Sequence, residues 1–497
     1  MKKLSAVKWL LVLALLLQMI CVPALATEAS DTTETTEDTL ATESVIYENN
    51  VTDGTSTVLN GCRTIEAQMP LGGSERLVDT AVSAFIYERN TGTVIYAFNP
   101  DLTVQPGTFA KIVTAIVAIE NGDLDDDVTI SSANYKTLPA GASNSKLKEG
   151  EVMKLRDLLY CMIMEWANDA ALTIAEHIAG SEAAFVDMMN DWVTERAGCV
   201  NTRFSNCHGL GSAEQSTSAR DMVRIVNEAT KNATFVEYFG TTAYTVPETN
   251  KSDARALKCL NYLMEQTYVP QYNFDGVTGG LAHYTATSGA SLVCTAEKKN
   301  MSLVVAIMGC ERTFASNGWT VTSYGNYEEV WDLLEYAFDN YKICRLLHDG
   351  QSLTQFAVSG GENDVVAQSH ASVDAVLPIN ARLNNLILKY SVANGGLTAP
   401  IVSDQKIASM QIWYRNSCIA ETNLYAMSSV RSTADSGIEI RGAARDDSNL
   451  SDILSFIGIV CLVILGALVL YLLVNHTRRI IARNRRRRRR KSRRRSR

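Results

Sequence analysis

Pro106-Gly107-Thr108-Phe109-Ala110-Lys111-Ile112-Val113-Thr114-Ala115 is the stretch on which the reading of this 497-residue chain turns. Its apolar positions run on as Phe109, Ile112, Val113, Ile116 and Ile119, a helical recurrence that Asn121-Gly122-Asp123 brings to a stop. Thr108 and Lys111 stand three residues apart, so they share one helical face, with the amine below the hydroxyl. A hydroxyl with a base in reach is what nucleophilic acyl transfer requires. To serve as that base, Lys111 must have its pKa lowered by burial or by nearby cations. Two plainer readings stand beside this one. Thr108 is also a good helix N-cap, and Lys111 is also a partner for a carboxylate.

The flanks supply the rest of a domain. Val82 to Tyr87 and Val94 to Phe98 alternate around Asn90-Thr91-Gly92 and read as a β-hairpin. Helical regions are expected from about Thr108, from Leu155 to about Ile178, and from Glu182 to about Ala197. Ser291 to Ala296 and Leu303 to Met308 read as two strands around the polar turn Glu297 to Asn300. Strands first and last with helices between them give an α/β domain on a mainly antiparallel sheet, over residues 78–341. Residues 343–432 differ in texture: short apolar runs such as Val373 to Leu377, Leu386 to Leu388 and Gln411 to Tyr414 suit a small all-β domain. No internal repeat is visible.

Several further motifs follow in one order: Leu158-Leu159-Tyr160, Asn168-Asp169-Ala170-Ala171, Ala179-Gly180-Ser181, Met189-Asn190, Asn201-Thr202-Arg203-Phe204, His208-Gly209-Leu210, Ser216 to Met222, Asp275-Gly276-Val277 and Ile307-Met308-Gly309. Taken together over about Val82 to Glu311, they resemble the D-alanyl-D-alanine carboxypeptidases, the low-molecular-mass penicillin-binding proteins. That resemblance implies a beta-lactamase/transpeptidase-like domain, followed here by the all-β domain and a C-terminal transmembrane helix. It also implies an acyl-enzyme route, without metal or cofactor, that removes the terminal D-alanine from peptidoglycan stem peptides. The family's three motifs are S-x-x-K, an S-x-N type and K-T-G.

All three motifs are altered. Thr108 stands at the nucleophile position, and its β-methyl restricts χ1; a small displacement of a reacting atom lowers rate about a hundredfold. Lys111 is retained. Trp166 stands two residues before Asn168, where a small hydroxyl is expected, and its indole only donates. Glu165 beside it is a candidate partner for Lys111, and Asn168 is a candidate contact for a substrate amide. After Asp275-Gly276-Val277 the chain reads Thr278-Gly279-Gly280, so the lysine is either replaced by Thr278 or deleted. Thr278 and Gly279 remain as the substrate-binding positions, without the cation that would hold a terminal carboxylate. His283 reaches the site only if this loop refolds. His208 has no G-x-S-x-G elbow to join, and with six histidines and no H-E-x-x-H no metal site is expected. His208 is read as structural.

The ends place the protein. Residues 1–26 read as a signal peptide: Lys2, Lys3 and Lys8, the apolar run Trp9 to Val22, then Ala24-Leu25-Ala26. An uncleaved anchor is the plainer alternative, and Cys21 behind bulky Ile20 is a poor lipoprotein signal. Residues 27–73 are expected to be a disordered acidic Thr/Glu-rich spacer. Residues 433–452 form a polar linker. Ile453 to Val474 (453–474) is long and apolar enough to span a bilayer. Residues 475–497 carry 13 arginines and Lys491, a basic tail that stays cytoplasmic and attracts anionic headgroups. No base-reading module accompanies it, so nucleic acid is not an expected partner.

Setting aside those 14 tail cations and the three signal lysines leaves 29 basic against 54 acidic residues, near −25 for the exported part. Such a body does not suit polyanion binding. The 11 cysteines show no C-x-x-C pair; Cys161, Cys294 and Cys310 sit in apolar runs, where buried thiols are expected. The expectation is a single-pass cell-membrane protein with an extracellular body. Its partner is a peptidoglycan stem peptide or a cell-wall protein. Three functions compete: a wall binder or regulator that is a pseudoenzyme, a weak hydrolase using Thr108 and Lys111, and a structural surface protein.

Overall fold

The computed structural model of the protein describes residues 65 and 68–433, apart from gaps at 74, 132–135, 212, 265–268, 286–287, 319 and 393–395. The expected signal peptide, transmembrane helix and basic tail all lie outside the described residues. No helix among the described residues is long and apolar enough to cross a membrane.

The first strands, β1 (Ser83–Glu88) and β2 (Thr93–Phe98), form the expected hairpin. Helix α1 (Ala110–Asn121) follows a single 3-10 turn, Gly107–Phe109. Two small ladders, β3 (Asp127–Thr129) with β4 (Val152–Lys154) and β5 (Ala243–Val246) with β6 (Arg255–Lys258), flank the helical layer. That layer holds α2 (Leu155–Met164), α3 (Asn168–Ala179), α4 (Glu182–Asp191), α5 (Ala219–Ala229) and α6 (Ala233–Gly240). Ser181, Ser218 and Asn232 cap α4, α5 and α6 with their side chains. The continuous helix expected over Leu155 to Ile178 is therefore two helices. Trp166, at φ +56°, breaks the chain between them.

The sheet is completed by β7 (Val277–Thr285), β8 (Gly289–Lys298) and β9 (Met301–Cys310). Its order is β2-β1-β9-β8-β7 and every pairing is antiparallel, so β7 is an edge. Strand β9 lacks polar alternation because both of its faces are covered. Val304, Ala306 and Met308 join the core with α1 and α5; Leu303, Val305 and Ile307 join the core with α7 (Gly325–Asn340). A short hairpin, β10 (Arg312–Phe314) and β11 (Val321–Tyr324), leads into α7. Helix α1 sits at the centre of the helical layer, with every residue from Ala110 to Ala118 buried.

The chain then enters the expected all-β domain. Strands β12 (Tyr341–Leu347) and β16 (Val373–Pro378) pair, β14 (Val358–Ser359) pairs with β18 (Leu397–Thr398), and five more form an antiparallel sheet. These are β13 (Ser352–Phe356), β15 (Val365–Ser369), β20 (Ser417–Ala426), β19 (Lys406–Tyr414) and β17 (Leu386–Val392), in that spatial order. One apolar cluster runs from Leu334 and Phe338 of α7 into Val365, Ala375 and Val376 of this domain.

The expected spacer is shorter than 27–73. Residues 68–73 lie along β2: the Leu71 and Gly72 amides donate to the Val94 and Ile95 carbonyls, Leu71 is buried, and Ser417 Oγ donates to the Met69 carbonyl. An apolar leucine and two ladder bonds order this end, and the expected spacer before residue 65 lies outside the described residues. Cys161, Cys294 and Cys310 are buried free thiols, as their apolar surroundings imply, and Cys418 is disulfide-bonded.

Candidate active site

The turn ahead of α1 is built from two glycines. Gly107 holds φ +51°, a left-handed conformation that favours glycine. Gly209, at φ +78°, packs so closely that a side-chain carbon there would overlap the Gly107 carbonyl oxygen. The His208-Gly209-Leu210 turn thus presses directly on the peptide that precedes Thr108. It is held in shape by Gly209 N–H donating to Asn206 Oδ1 at 2.6 Å and Leu210 N–H donating to His208 Nδ1 at 3.1 Å.

One turn into the helix, Lys111 is 1% exposed. Its Nζ donates to Asn168 Oδ1 at 2.7 Å and to the His208 carbonyl at 2.5 Å. Asn168 is oriented by its own amide, because Nδ2 and the backbone N–H both donate to the Ser143 carbonyl, leaving Oδ1 for the lysine. Asp169 fastens the same segment by accepting from the Ser145 and Leu147 amides. Burial drives the Lys111 pKa down to about 7, with Cys207 and Asp169 opposing weakly. A neutral amine has two N–H groups and one lone pair. With both protons bonded, the lone pair is free to take a proton. Such an amine can take a proton near neutral pH.

Its substrate proton is another matter. Thr108 is half-buried, inside the 3-10 turn, and its hydroxyl bonds to no described residue, Lys111 included. The N-cap reading of Thr108 fails as well. The cap positions of the 3-10 turn and of α1 are Pro106 and Phe109, neither with a side-chain cap bond. The expected Glu165–Lys111 pairing is absent; Glu165 Oε2 instead accepts from Ser145 Oγ at 2.6 Å. Trp166 is half-buried against the helical core, and its indole N–H meets no acceptor among the described residues.

The strand wall is reorganised. Thr278 Oγ1 pairs with Thr295 Oγ1 at 2.8 Å across β7 and β8, and Gly279 lies tight against Phe239 of α6. Of the two expected substrate-binding positions, Thr278 is exposed with its hydroxyl paired to β8, and Gly279 is packed on α6. Counting by twos along the pleat, Gly279, Leu281 and His283 face the helices. His283 is the β7 residue that touches the nucleophile turn. A Cβ at Gly107 would stand 2.7 Å from its Nε2 and Cδ2, and its ring centroid lies 4.9 Å from that of Phe109. No refolding is involved; the strand itself delivers His283. Sequence reading named His283 but tied it to a refolded loop, because the third motif was anchored on Asp275-Gly276-Val277 instead of on the pleat. Gly107, in the quoted stretch, was the available signal.

His208 and His283 are both neutral imidazoles. Burial, helped by the neighbouring Lys111 charge, lowers each pKa to about 4. His208 Nε2 stands 3.6 Å from Glu182 Oε1, and its contribution to the site is its carbonyl. Among the described residues no group of three or more His, Cys, Asp or Glu is arranged to hold a metal.

A helix-covered antiparallel sheet with a buried lysine one turn behind a hydroxyl, braced by an Asn and a His-Gly turn, defines the class of hydroxyl–lysine acyl-transfer folds. Residues 74–312 match the family of D-alanyl-D-alanine carboxypeptidases, and residues 341–432 match the C-terminal domain of penicillin-binding protein 5. The chain is 26% identical over 361 residues to D-alanyl-D-alanine carboxypeptidase DacD of Escherichia coli (strain K12), covering 70% of this chain and 87% of that protein. It is 27% identical over 362 residues to DacA of Haemophilus influenzae, covering 71% and 85%. The solved penicillin-binding protein 5 of Haemophilus influenzae superposes with a TM-score of 0.58 at 25% identity, over 72% of this chain and all of that one. The chain belongs to the D-alanyl-D-alanine carboxypeptidase family.

Proposed function

We propose that this protein is a membrane-anchored, extracytoplasmic member of its family that acts at peptidoglycan with little or no release of terminal D-alanine. The observation that carries the reading is the separation of base from nucleophile. Lys111 is tuned to about 7 and bonded to Asn168 and His208, yet the Thr108 hydroxyl is bonded to nothing described. Trp166 in place of a hydroxyl and Thr278 in place of a cation remove the proton relay and the carboxylate anchor. Relatives named D-alanyl-D-alanine carboxypeptidase motivate a stem peptide as the ligand. Anchoring rests on the apolar run 453–474 and the basic tail behind it.

A second reading has one observation in its favour. A lysine with a pKa near 7 is a competent base at neutral pH, and a threonine hydroxyl turning toward it would give slow hydrolysis. Fluorescent penicillin separates the two. The pseudoenzyme reading expects no covalent labelling and retention of the full chain on purified peptidoglycan. Strong labelling that vanishes in Thr108→Ala would overturn it.

A further inference from the structure

Cys418 of β20 is disulfide-bonded and 5% exposed. The other seven described cysteines keep their thiols. The chain has 11 cysteines, and those that remain are Cys21, Cys62 and Cys461, all outside the described residues. Cys21 belongs to the expected signal peptide, and Cys461 stands inside the apolar run 453–474. Cys62 is the one that falls within the expected extracellular body, as Cys418 does.

Geometry favours the same partner. Ser417, the neighbour of Cys418, donates from Oγ to the Met69 carbonyl at 2.9 Å. Met69 follows Cys62 closely in sequence, and the seven-residue step between them spans at most about 25 Å. The Cα atoms of a disulfide stand about 4.4–6.8 Å apart, which so short a tether allows. The segment after Cys62 also touches both domains. Its Leu71 and Gly72 amides bond to β2, and a Cβ at Gly72 would stand 2.9 Å from Tyr336 Oη of α7 and 3.4 Å from Tyr341 Oη of β12. We propose that Cys62 and Cys418 form a disulfide that fastens this segment to β20 and braces the carboxypeptidase-like domain against the all-β domain. As the S–S bond forms, the two thiols give up two protons and two electrons. The disulfide of an extracytoplasmic thiol–disulfide oxidoreductase accepts them and becomes a dithiol. Such a bond persists outside the cell and is rare in a reducing cytosol. Its formation rests on the extracytoplasmic placement proposed above; the pairing does not.

The test is peptide mapping of the full chain by mass spectrometry, with thiols alkylated at lysis and the digest left unreduced. One linked pair of peptides carrying Cys62 and Cys418 is expected. In Cys62→Ser, alkylation of Cys418 under urea rises from none to complete, and reduction of the parent chain lowers the melting temperature by about 5 °C or more. Cys418 found joined to Cys21, to Cys461 or to a second copy overturns the pairing, as does a Cys418 that stays blocked in Cys62→Ser. An unchanged melting temperature overturns the bracing role. If both thiols are free at lysis, the purified chain is treated with oxidised glutathione. Closure of the Cys62–Cys418 bond then upholds the pairing and counts against the extracytoplasmic placement, whereas failure to close overturns the pairing.

Discussion

The two walls of the cleft are held in different ways. On the helical wall, α1, the N-terminus of α3 and the His208 turn hold Lys111 with two short bonds and keep it near neutrality. On the strand wall, Thr278 and Gly279 pack on β8 and α6, and His283 lies against the nucleophile turn with no partner. The helical wall is also the centre of the domain's core, since Ala110 to Ala118 are all buried. The strand wall is a sheet edge, where a residue can change and leave the core intact. The difference teaches that the retained members of the site, Lys111 and Asn168, are buried in the core, whereas the altered ones, Thr108, Trp166 and Thr278, are not.

The sharpest break of that contrast is Gly209→Ala. A methyl there overlaps the Gly107 carbonyl, a backbone atom that cannot swing aside. Destabilisation above about 4 kcal/mol is expected, in the range reserved for a named structural failure, read as loss of the urea midpoint. A mild effect would mean that the two turns are not tightly docked.

Next in size is the pH dependence of stability. Lys111 has a folded pKa of about 7 against an ordinary 10.5, so the unfolded chain holds the extra proton between those values. Stability contributed by this site therefore rises from pH 7 toward 10 and is lowest below 7, by as much as about 5 kcal/mol at the limit of the full shift. Lys111→Met flattens that slope. His208 and His283, lowered to about 4, act in the acid range: stability is lost as pH falls from about 6.5 to 4. His283→Gln removes the strand-wall share of that loss and leaves the His208 share. Urea melts at stepped pH read all three.

Gly107→Ala tests the seam between the walls. An alanine at φ +51° with its methyl 2.7 Å from the imidazole costs about 2–3 kcal/mol. His283→Ala in the same chain recovers the steric part of it, a coupling that a double-mutant cycle measures. Strict additivity would show that the ring does not rest on that turn. The smallest effect is Thr278→Lys, which removes one hydroxyl pair with Thr295 and lowers stability by about 1 kcal/mol. It leaves penicillin labelling unchanged, because the Thr108 hydroxyl still has no bond to Lys111; a gain of labelling would mean that the missing strand-wall cation alone had silenced the site.

Much of this arrangement was legible in the sequence. The periodicity of Phe109, Ile112, Val113, Ile116 and Ile119 gave α1, and the hairpin and the β8–β9 pair followed from alternation and turn residues. The Lys111–Asn168 contact was not foreseen: the sequence offered Glu165 as the partner for Lys111 and Asn168 as a contact for a substrate amide. What escaped is set by tertiary contact. The break at Trp166 demands a left-handed backbone that tryptophan does not advertise. Leu71 joins the core because β2 offers two carbonyls, although the neighbouring composition reads as disordered. His283 reaches the site through the pleat of β7 and a glycine 176 positions earlier, a pairing that no local window contains.

The most direct measurement is D-alanine released from a stem pentapeptide by the purified full chain at pH 7 to 8, where Lys111 is largely neutral. The account expects a rate no higher than that of Thr108→Ala. Turnover well above that variant, following a titration near pH 7, would contradict it.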